Sequence, residues 1–416
     1  MGFEKTLEEI KIGLKNLKKR LEDCKSDNER IYLFTAIGNS YLLISEVEDA
    51  RNNIINALLS FDEVEKISKK TVNNEALANV ESLKGFLFYK LAFLEDRNYN
   101  LKISIEHYKN VINLTGEPER EKLISVNYNL ANSYLALRDG KEQDNIFEAI
   151  LIFNNALEIA TTFGRNDSFS LINNALGRSY LLLSQFYKGR DSSNIFEKAI
   201  FFFEESLKYS NLNDKPFDFA SSHNGLGVAL MKMGDLGVNT QVNYDNALTH
   251  FNLALKFYDI NSNPIDFASV NYTIGLCYFK LAQISMGEVK NGFLLKAKDS
   301  LTISTELFID ETNPLELANA EYYLSVVYKD LFDISHDKNF LKKEIESLYA
   351  ALSFFNEENN PVSYASIQLL IGEALYRQGN TKDSLKYYSE AERVAAKFNP
   401  TLARQITSVK KVIASL

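Results

Sequence analysis

The chain has 416 residues, 45% of them apolar and 24% charged, and a formal net charge of −9. This composition excludes a wholly disordered chain, and the acidic balance lacks the basic footprint of a nucleic-acid binder. No run of about 18 apolar residues is present, so no membrane span is expected. The only cysteines, Cys24 and Cys277, lack metal or redox spacing and fit a reducing cytoplasm.

In chain order, residues 1–25 come first. Phe3, Leu7, Ile10, Leu14, Leu17 and Leu21 alternate spacings of four and three, the a/d seam of a helix. The seam reads as a cap on the end of a repeat array or, alternatively, as a short coiled coil pairing two chains into a homodimer. The opening Met1-Gly2 also fits the loose myristoylation pattern, which fixes too few positions to be informative.

From residue 26 to 398 a small residue recurs at intervals of 46 to 50: Gly38, Gly85, Ala131, Gly177, Gly227, Gly275, Ser325 and Gly372. Eleven residues before the last of these stand Pro216, Pro264, Pro314 and Pro361, in the near-copies KPFDFAS, NPIDFAS, NPLELAN and NPVSYAS. Asn followed by Pro is the pattern of a helix N-cap and first helical residue, where the missing proline N–H is not needed. Each unit therefore predicts a first helix with the small residue at its middle. A second helix follows, carrying a small, a large and a small or apolar residue at spacings of four and seven. Ala149/Phe153/Ala156, Ala199/Phe203/Ser206 and Ala247/Phe251/Ala254 show it. Small residues at a crossing let two helices approach to about 8–10 Å.

The small residues of the two helices are 12 apart in the first unit (Gly38 to Ala50) and the last (Gly372 to Ser384), and 18 to 22 apart in the inner six. The surplus is expected as polar loops on one edge, in RDGKEQDN (138–145), GRDSSN (189–194) and GDLGVNTQVN (234–243). Phe147, Phe196, Tyr244, Phe293 and Phe340 then read as staples just ahead of the second helix, or the loops as a row that touches a partner. Residues 399–416 predict a C-terminal capping helix with Leu402, Ile406, Val409 and Ile413 in phase and Arg404, Lys410 and Lys411 outside.

LGRSY (176–180), IGNSY (37–41) and IGLCY (274–278), each followed by A-x-x-x-F and then proline, resemble the tetratricopeptide repeat, in a long subtype of about 46–50 residues. The resemblance implies an all-α fold: a right-handed α-solenoid of eight helix-turn-helix repeats over 26–398, with capping helices at 1–25 and 399–416. Two features depart from the family. The repeats exceed 34 residues. The usual tryptophan slot, four before the small residue, holds Phe34, Glu81, Asn127, Asn173, His223, Asn271, Glu321 and Gln368. Arrays of this length also resemble those beside caspase-like proteases of prokaryotic defence systems, a likeness of the repeats alone.

No phosphate loop, HExxH, zinc-spaced cluster or dinucleotide motif occurs, so no metal, cofactor or catalysis is expected. His223 and His250 lie on the two helices of the fifth unit and can approach each other as a structural pair. The resemblance implies that the first helices line a concave groove, read three residues before and one after the small residue. The candidates are Tyr128, Asn132, Asn174, Arg178, Asn224, Tyr272 and Tyr322. Asparagine offers donor and acceptor to an extended backbone, and tyrosine offers a flat face with a polar tip. A single Arg in these rows, with Lys329 and Arg377 in separate late units, argues against a carboxylate clamp. The expected function is a cytoplasmic, non-catalytic scaffold or adaptor binding a peptide segment of a partner protein. The alternative is a peptide- or ligand-responsive regulator of a prokaryotic signalling or defence system. The short N-terminal helix, too small for the DNA-binding or effector domains of such receptors, favours the adaptor.

Overall fold

The computed structural model describes residues 2–309 and 312–414. Among them, eighteen α-helices and two 3-10 turns make up the regular structure, with no strand. The unit Met1–Ser210 holds α1 (Gly2–Asp23), α2 (Asp27–Ser45), α3 (Ala50–Thr71), α4 (Asn74–Leu91), α5 (Arg97–Leu114), α6 (Leu123–Ala136), α7 (Glu142–Thr162), α8 (Phe169–Ser184) and α9 (Gly189–Leu207). The unit Asn211–Leu416 holds α10 (Pro216–Asp235), α11 (Thr240–Ala254), α12 (Pro264–Gln283), α13 (Gly287–Leu307), α14 (Pro314–Ser335), α15 (Lys338–Phe354), α16 (Pro361–Arg377), α17 (Thr381–Phe398) and α18 (Pro400–Ala414). Within each unit every helix packs on the next in sequence. Four helix pairs, an even-numbered helix A and the following helix B, thus make up the repeats of each unit.

The crossing of A on B carries the packing. A methyl group on Gly177 would lie 2.8 Å from the Phe203 ring, and one on Gly227 2.6 Å from Phe251. Both rings are fully buried, so only hydrogen fits between them and the A-helix backbone. Gly85 faces Tyr108, Gly275 faces Leu301, and Gly372 faces Tyr388 in the same way.

Gly38 meets Phe61, which corrects the reading of the first repeat. The small residue of its helix B is Ala57, four before Phe61, and not Ala50, which is the first residue of α3. The first repeat is therefore as long as the inner ones, and the last alone is short.

The extra residues are not edge loops. Helices A and B of each repeat are joined by two to five residues, and the surplus lengthens the helices. Glu142 to Asn145 form the first turn of α7, and all of GRDSSN lies in α9. Phe147, Phe196, Tyr244, Phe293 and Phe340 consequently sit inside helix B. Phe293 stacks on Tyr278 and Phe340 on Tyr328, with ring centroids 6.1 Å apart in each pair, and Tyr244 donates its hydroxyl to Asp235 at 2.9 Å.

Five prolines open helices at the expected residue: Pro216, Pro264, Pro314, Pro361 and Pro400. Side-chain capping is seen at Asn360, which accepts from the Ser363 amide at 3.0 Å, and at Asn399, which accepts from Leu402 at 3.1 Å. The Asn263 and Asn313 oxygens instead accept from the hydroxyls of Ser262 and Thr312.

At the N-terminal end, Leu7, Ile10, Leu14, Leu17 and Leu21 pack on Ile37, Tyr41 and Ile44 of α2. Phe3 of the same seam has a side chain outside the described residues. Pairing two chains through this seam would require α1 to leave α2. In α18, Ile406 and Ile413 are buried as expected, but Ala403 takes the place expected of Val409, which faces solvent.

Gly177→Ala is expected to cost about 1–3 kcal/mol by overpacking, measured by chemical denaturation. Adding Phe203→Leu should recover part of this, because Leu301 fills the equivalent place against Gly275. The Tyr108 hydroxyl is buried without a hydrogen-bond partner. Tyr108→Phe, the residue found at the same place in four other repeats, should therefore raise stability by about 1 kcal/mol.

Candidate functional site

The candidate residues fall on helix A of successive repeats and are described within each unit. On α6, Tyr128 is half-buried with its ring tilted against Phe153 at 5.6 Å. Asn132, one turn on, donates its amide to the Tyr128 carbonyl at 2.9 Å, so one of its donors is used within the helix. On α8, Asn174 is buried, whereas Arg178 is exposed, with its guanidinium close enough to act on the Tyr89 phenol of α4.

In the second unit, Asn224 on α10 is half-buried, and its Oδ1 is shielded from solvent without a hydrogen-bond partner. Tyr272 on α12 and Tyr322 on α14 come together through Tyr323, whose ring lies 6.2 Å from the first and 5.3 Å from the second. Burial pushes both candidate phenols above their ordinary value, so each stays a neutral donor.

Lys329 and Arg377 also lie in this unit, each matched to acids. Lys329 Nζ is 3.2 Å from Glu373, and Arg377 reaches Asp333 at 3.7 Å and hydrogen-bonds Glu344. Glu344 is only 1% exposed and stands where other B helices carry alanine or serine. Burial pushes its carboxyl up to about 7 against the opposing pull of Arg377. Both cations are thus engaged within the chain.

A cleft of about 610 Å3 lies in the first unit between the N-terminal ends of α6 and α8. Its floor is Ile124, Tyr128, Leu171 and Ile172, and charged groups of the two 3-10 turns rim it. An adjoining cleft of about 260 Å3 between α4 and α6 shares Glu119, Lys122 and Ser125 with it. Sequence reasoning found Tyr128 but not the cleft.

Neither a family model nor a curated protein matches the sequence. Solved structures do. A signal-transduction ATPase with numerous domains and a tetratricopeptide repeat sensor, from Pyrococcus horikoshii, superposes with a TM-score of 0.51 at 14% identity, over 98% of this chain and 55% of that one. The fold is that of a tetratricopeptide-repeat array. Two further structures resemble the chain at lower scores. The apo quorum sensor NprR of B. thuringiensis gives 0.47 at 17% identity, over 94% of this chain and 98% of that chain. Aspartyl phosphate phosphatase F of Bacillus subtilis gives 0.44 at 13% identity, over 94% and 89%.

The tetratricopeptide tryptophan slot is here filled in seven of the eight repeats by polar residues, all buried but Glu321, and by Phe34 in the first. Glu81 accepts from His107 Nδ1 at 2.7 Å and from Asn110 at 3.0 Å, and Asn173 and Asn271 donate to the carbonyls four residues back. His223 and His250 do meet, Nδ1 to Nδ1 at 2.9 Å with the rings stacked. One proton can bridge those two nitrogens, so two charged rings cannot share the arrangement. Burial, then the neighbouring His250, holds His223 down at about 4, and burial also lowers His250. The contact joins helix A to helix B of the fifth repeat.

A second repeated surface went unread in the sequence. Nine residues after the small residue stand Val47, Leu94 and Phe186 in the first unit and Leu236, Ile284 and Ile334 in the second, all exposed at the A–B turns. Their shared phase was the available signal.

The folded pKa of His223 lies below the ordinary imidazole value of about 6.5, so its contribution to stability is complete above that pH and is lost as pH falls toward about 4. Thermal melts between pH 7 and 4 should show a smaller acid loss for His223→Asn than for the parent chain. Asn is the residue of Asn127, Asn173 and Asn271 in the same slot.

Proposed function

We propose that this protein is a non-catalytic interaction adaptor, whose A helices hold an extended segment of a partner protein. The observation that carries the reading is the half-buried tyrosine group of Tyr272, Tyr322 and Tyr323, which supplies flat contact area with phenolic donors at the tip. In the first unit Tyr128, Asn132, Asn174 and Arg178 are the matching contacts. The mode is backbone recognition with few side-chain pockets, as suits a binder that holds an unstructured segment.

The alternative is a receptor in which a bound peptide changes the array. The first-unit cleft favours it, because about 610 Å3 lies within the range of small-ligand sites. The Pyrococcus horikoshii structure, whose repeats form a sensor, is consistent with it.

Affinity capture with crosslinking and mass spectrometry, using the full chain, tests the adaptor. Crosslinks should fall on α6, α8, α10, α12 and α14, and Tyr272→Phe with Tyr322→Phe, which removes only the phenolic donors, should weaken capture at least fivefold with little change in melting temperature. Crosslinks confined to B helices or to the apolar A–B turns would sink the site assignment. Compaction by a defined short peptide in X-ray scattering would favour the receptor.

A further inference from the structure

Seven of the eight B helices carry alanine or serine at the small position of the crossing, and α15 carries Glu344. A carboxylate is costly there, because burial strips its water and must be offset by a partner. One oxygen of the buried Glu344 carboxyl accepts from Arg377 Nη2 of α16. The other, Oε2, is sealed from solvent and has no hydrogen-bond partner among the described residues. Arg377 Nη1 is in the same condition and lies 3.7 Å from Asp333 of α14. The pair thus meets through one nitrogen and one oxygen, short of the two-bond fork that both groups can form.

The surrounding charges make Arg377 a shared group. Lys329 and Asp333 of α14 and Arg377 of α16 all act on the Glu344 carboxyl. Lys329 is itself held by Glu373 of α16 at 3.2 Å. Tyr388 of α17 lies near Glu373 and Arg377, and its phenol, raised to about 12 chiefly by burial, stays neutral. Glu321 of α14 bonds instead to Ser347, three residues on from Glu344. Arg377 therefore has two acceptors of different kinds. Glu344 lies inside the boundary between repeats seven and eight, and Asp333 is exposed at its surface.

We infer that this boundary is a proton-operated joint: Arg377 is held in the interior while Glu344 is ionised, and passes to Asp333 when Glu344 takes up a proton. The joint is independent of the adaptor reading, and it works near neutrality. Burial raises Glu344 to about 7 against the pull of Arg377 and Lys329, with Asp333 adding to the rise. The closed boundary therefore holds a proton that an opened one, with water around Glu344 and its ordinary value of 4.5, releases. This contribution to closure is complete below the ordinary value and is lost as pH rises through about 7. The charge change acts at one boundary, so the last repeat and its cap, α16 to α18, are the part that loosens. The direction is opposite to that of His223, whose protonation weakens the fifth repeat.

Native-state hydrogen exchange on the full chain, corrected for the intrinsic pH dependence of exchange, tests this. The opening equilibrium of the α16 and α17 amides should be about tenfold larger at pH 8 than at pH 5.5, levelling off above about 7. Glu344→Gln, which mimics the protonated form, should keep the smaller value at both pH values. Asp333→Asn, at an exposed position, removes a neighbouring negative charge and should move the levelling point down, whereas Arg377→Met should move it up. Equal opening of the parent at both pH values overturns the joint, as does a Glu344→Gln chain that keeps the parent's pH dependence. If Glu344→Gln does not fold, an unmoved levelling point in Asp333→Asn overturns it.

Discussion

The close approach of each helix A to its own helix B is the constraint on which the rest of the structure depends. Where Gly177 and Gly227 lie under Phe203 and Phe251, no side chain fits between ring and backbone, so the two helices have one register. That register places the residue four before the glycine opposite the residue three after the B-helix small position. His223 and His250 are that pair in the fifth repeat, and Glu81 and His107 are the same pair in the second. The polar contacts are thus consequences of the crossing. In the second and fifth repeats the crossing delivers a polar partner to the slot, whereas Asn173 and Asn271 bond to their own helix; an unmet polar group there would be costly.

Cohesion between repeats has a different basis. Ion pairs join neighbouring A helices, as in Lys90 with Glu46, Lys280 with Asp235, and Lys329 with Glu373. Such half-exposed pairs contribute about 0–1 kcal/mol each. Stacking therefore relies on apolar clusters that run from one repeat to the next, such as that of Leu294, Leu301, Val327 and Leu331. Two boundaries depart from this scheme. Glu344 stands at a crossing position and is accommodated because Arg377 of the following repeat reaches it. Buried Lys84 of the second repeat reaches Glu65 of the first at 2.6 Å, so both boundaries have an ionic component in their interior.

The phase of the small residues was legible because it is set by the crossing, and it placed all eight helix pairs and the proline-led helix starts. What misled was chemistry shared between turns and helix beginnings. Glu142, Asp144 and Asn145 are residues that end loops and also open helices, where acidic side chains meet the free amides and the positive end of the dipole. The first repeat misled through its periodicity. Ala50/Ile54/Ala57 and Ala57/Phe61/Val64 satisfy the same small–large–small spacing, seven residues apart, and only the contact of Phe61 with Gly38 chooses between them. For the candidate site, residue types and helix positions were readable. Which amide keeps an unmet acceptor and which spends a donor on its own helix was not, since Asn132 and Asn224 differ in neighbours rather than in sequence context.

The late start of α6 and α8 shows that the beginning of helix A can vary at little cost to the fold. Eight residues still precede Ala131 and Gly177, enough for two helical turns ahead of the crossing, and Phe153 and Phe203 remain fully buried. The start of helix A lies far enough from the crossing that losing its cap costs only about 0.5–2 kcal/mol, whereas enlarging the glycine would strain the core. Variation in side chains is therefore tolerated at the ends of the helices and resisted at their centres. A cleft made by omitting a cap, and lined by the residues that replaced it, leaves the crossing beneath it unchanged.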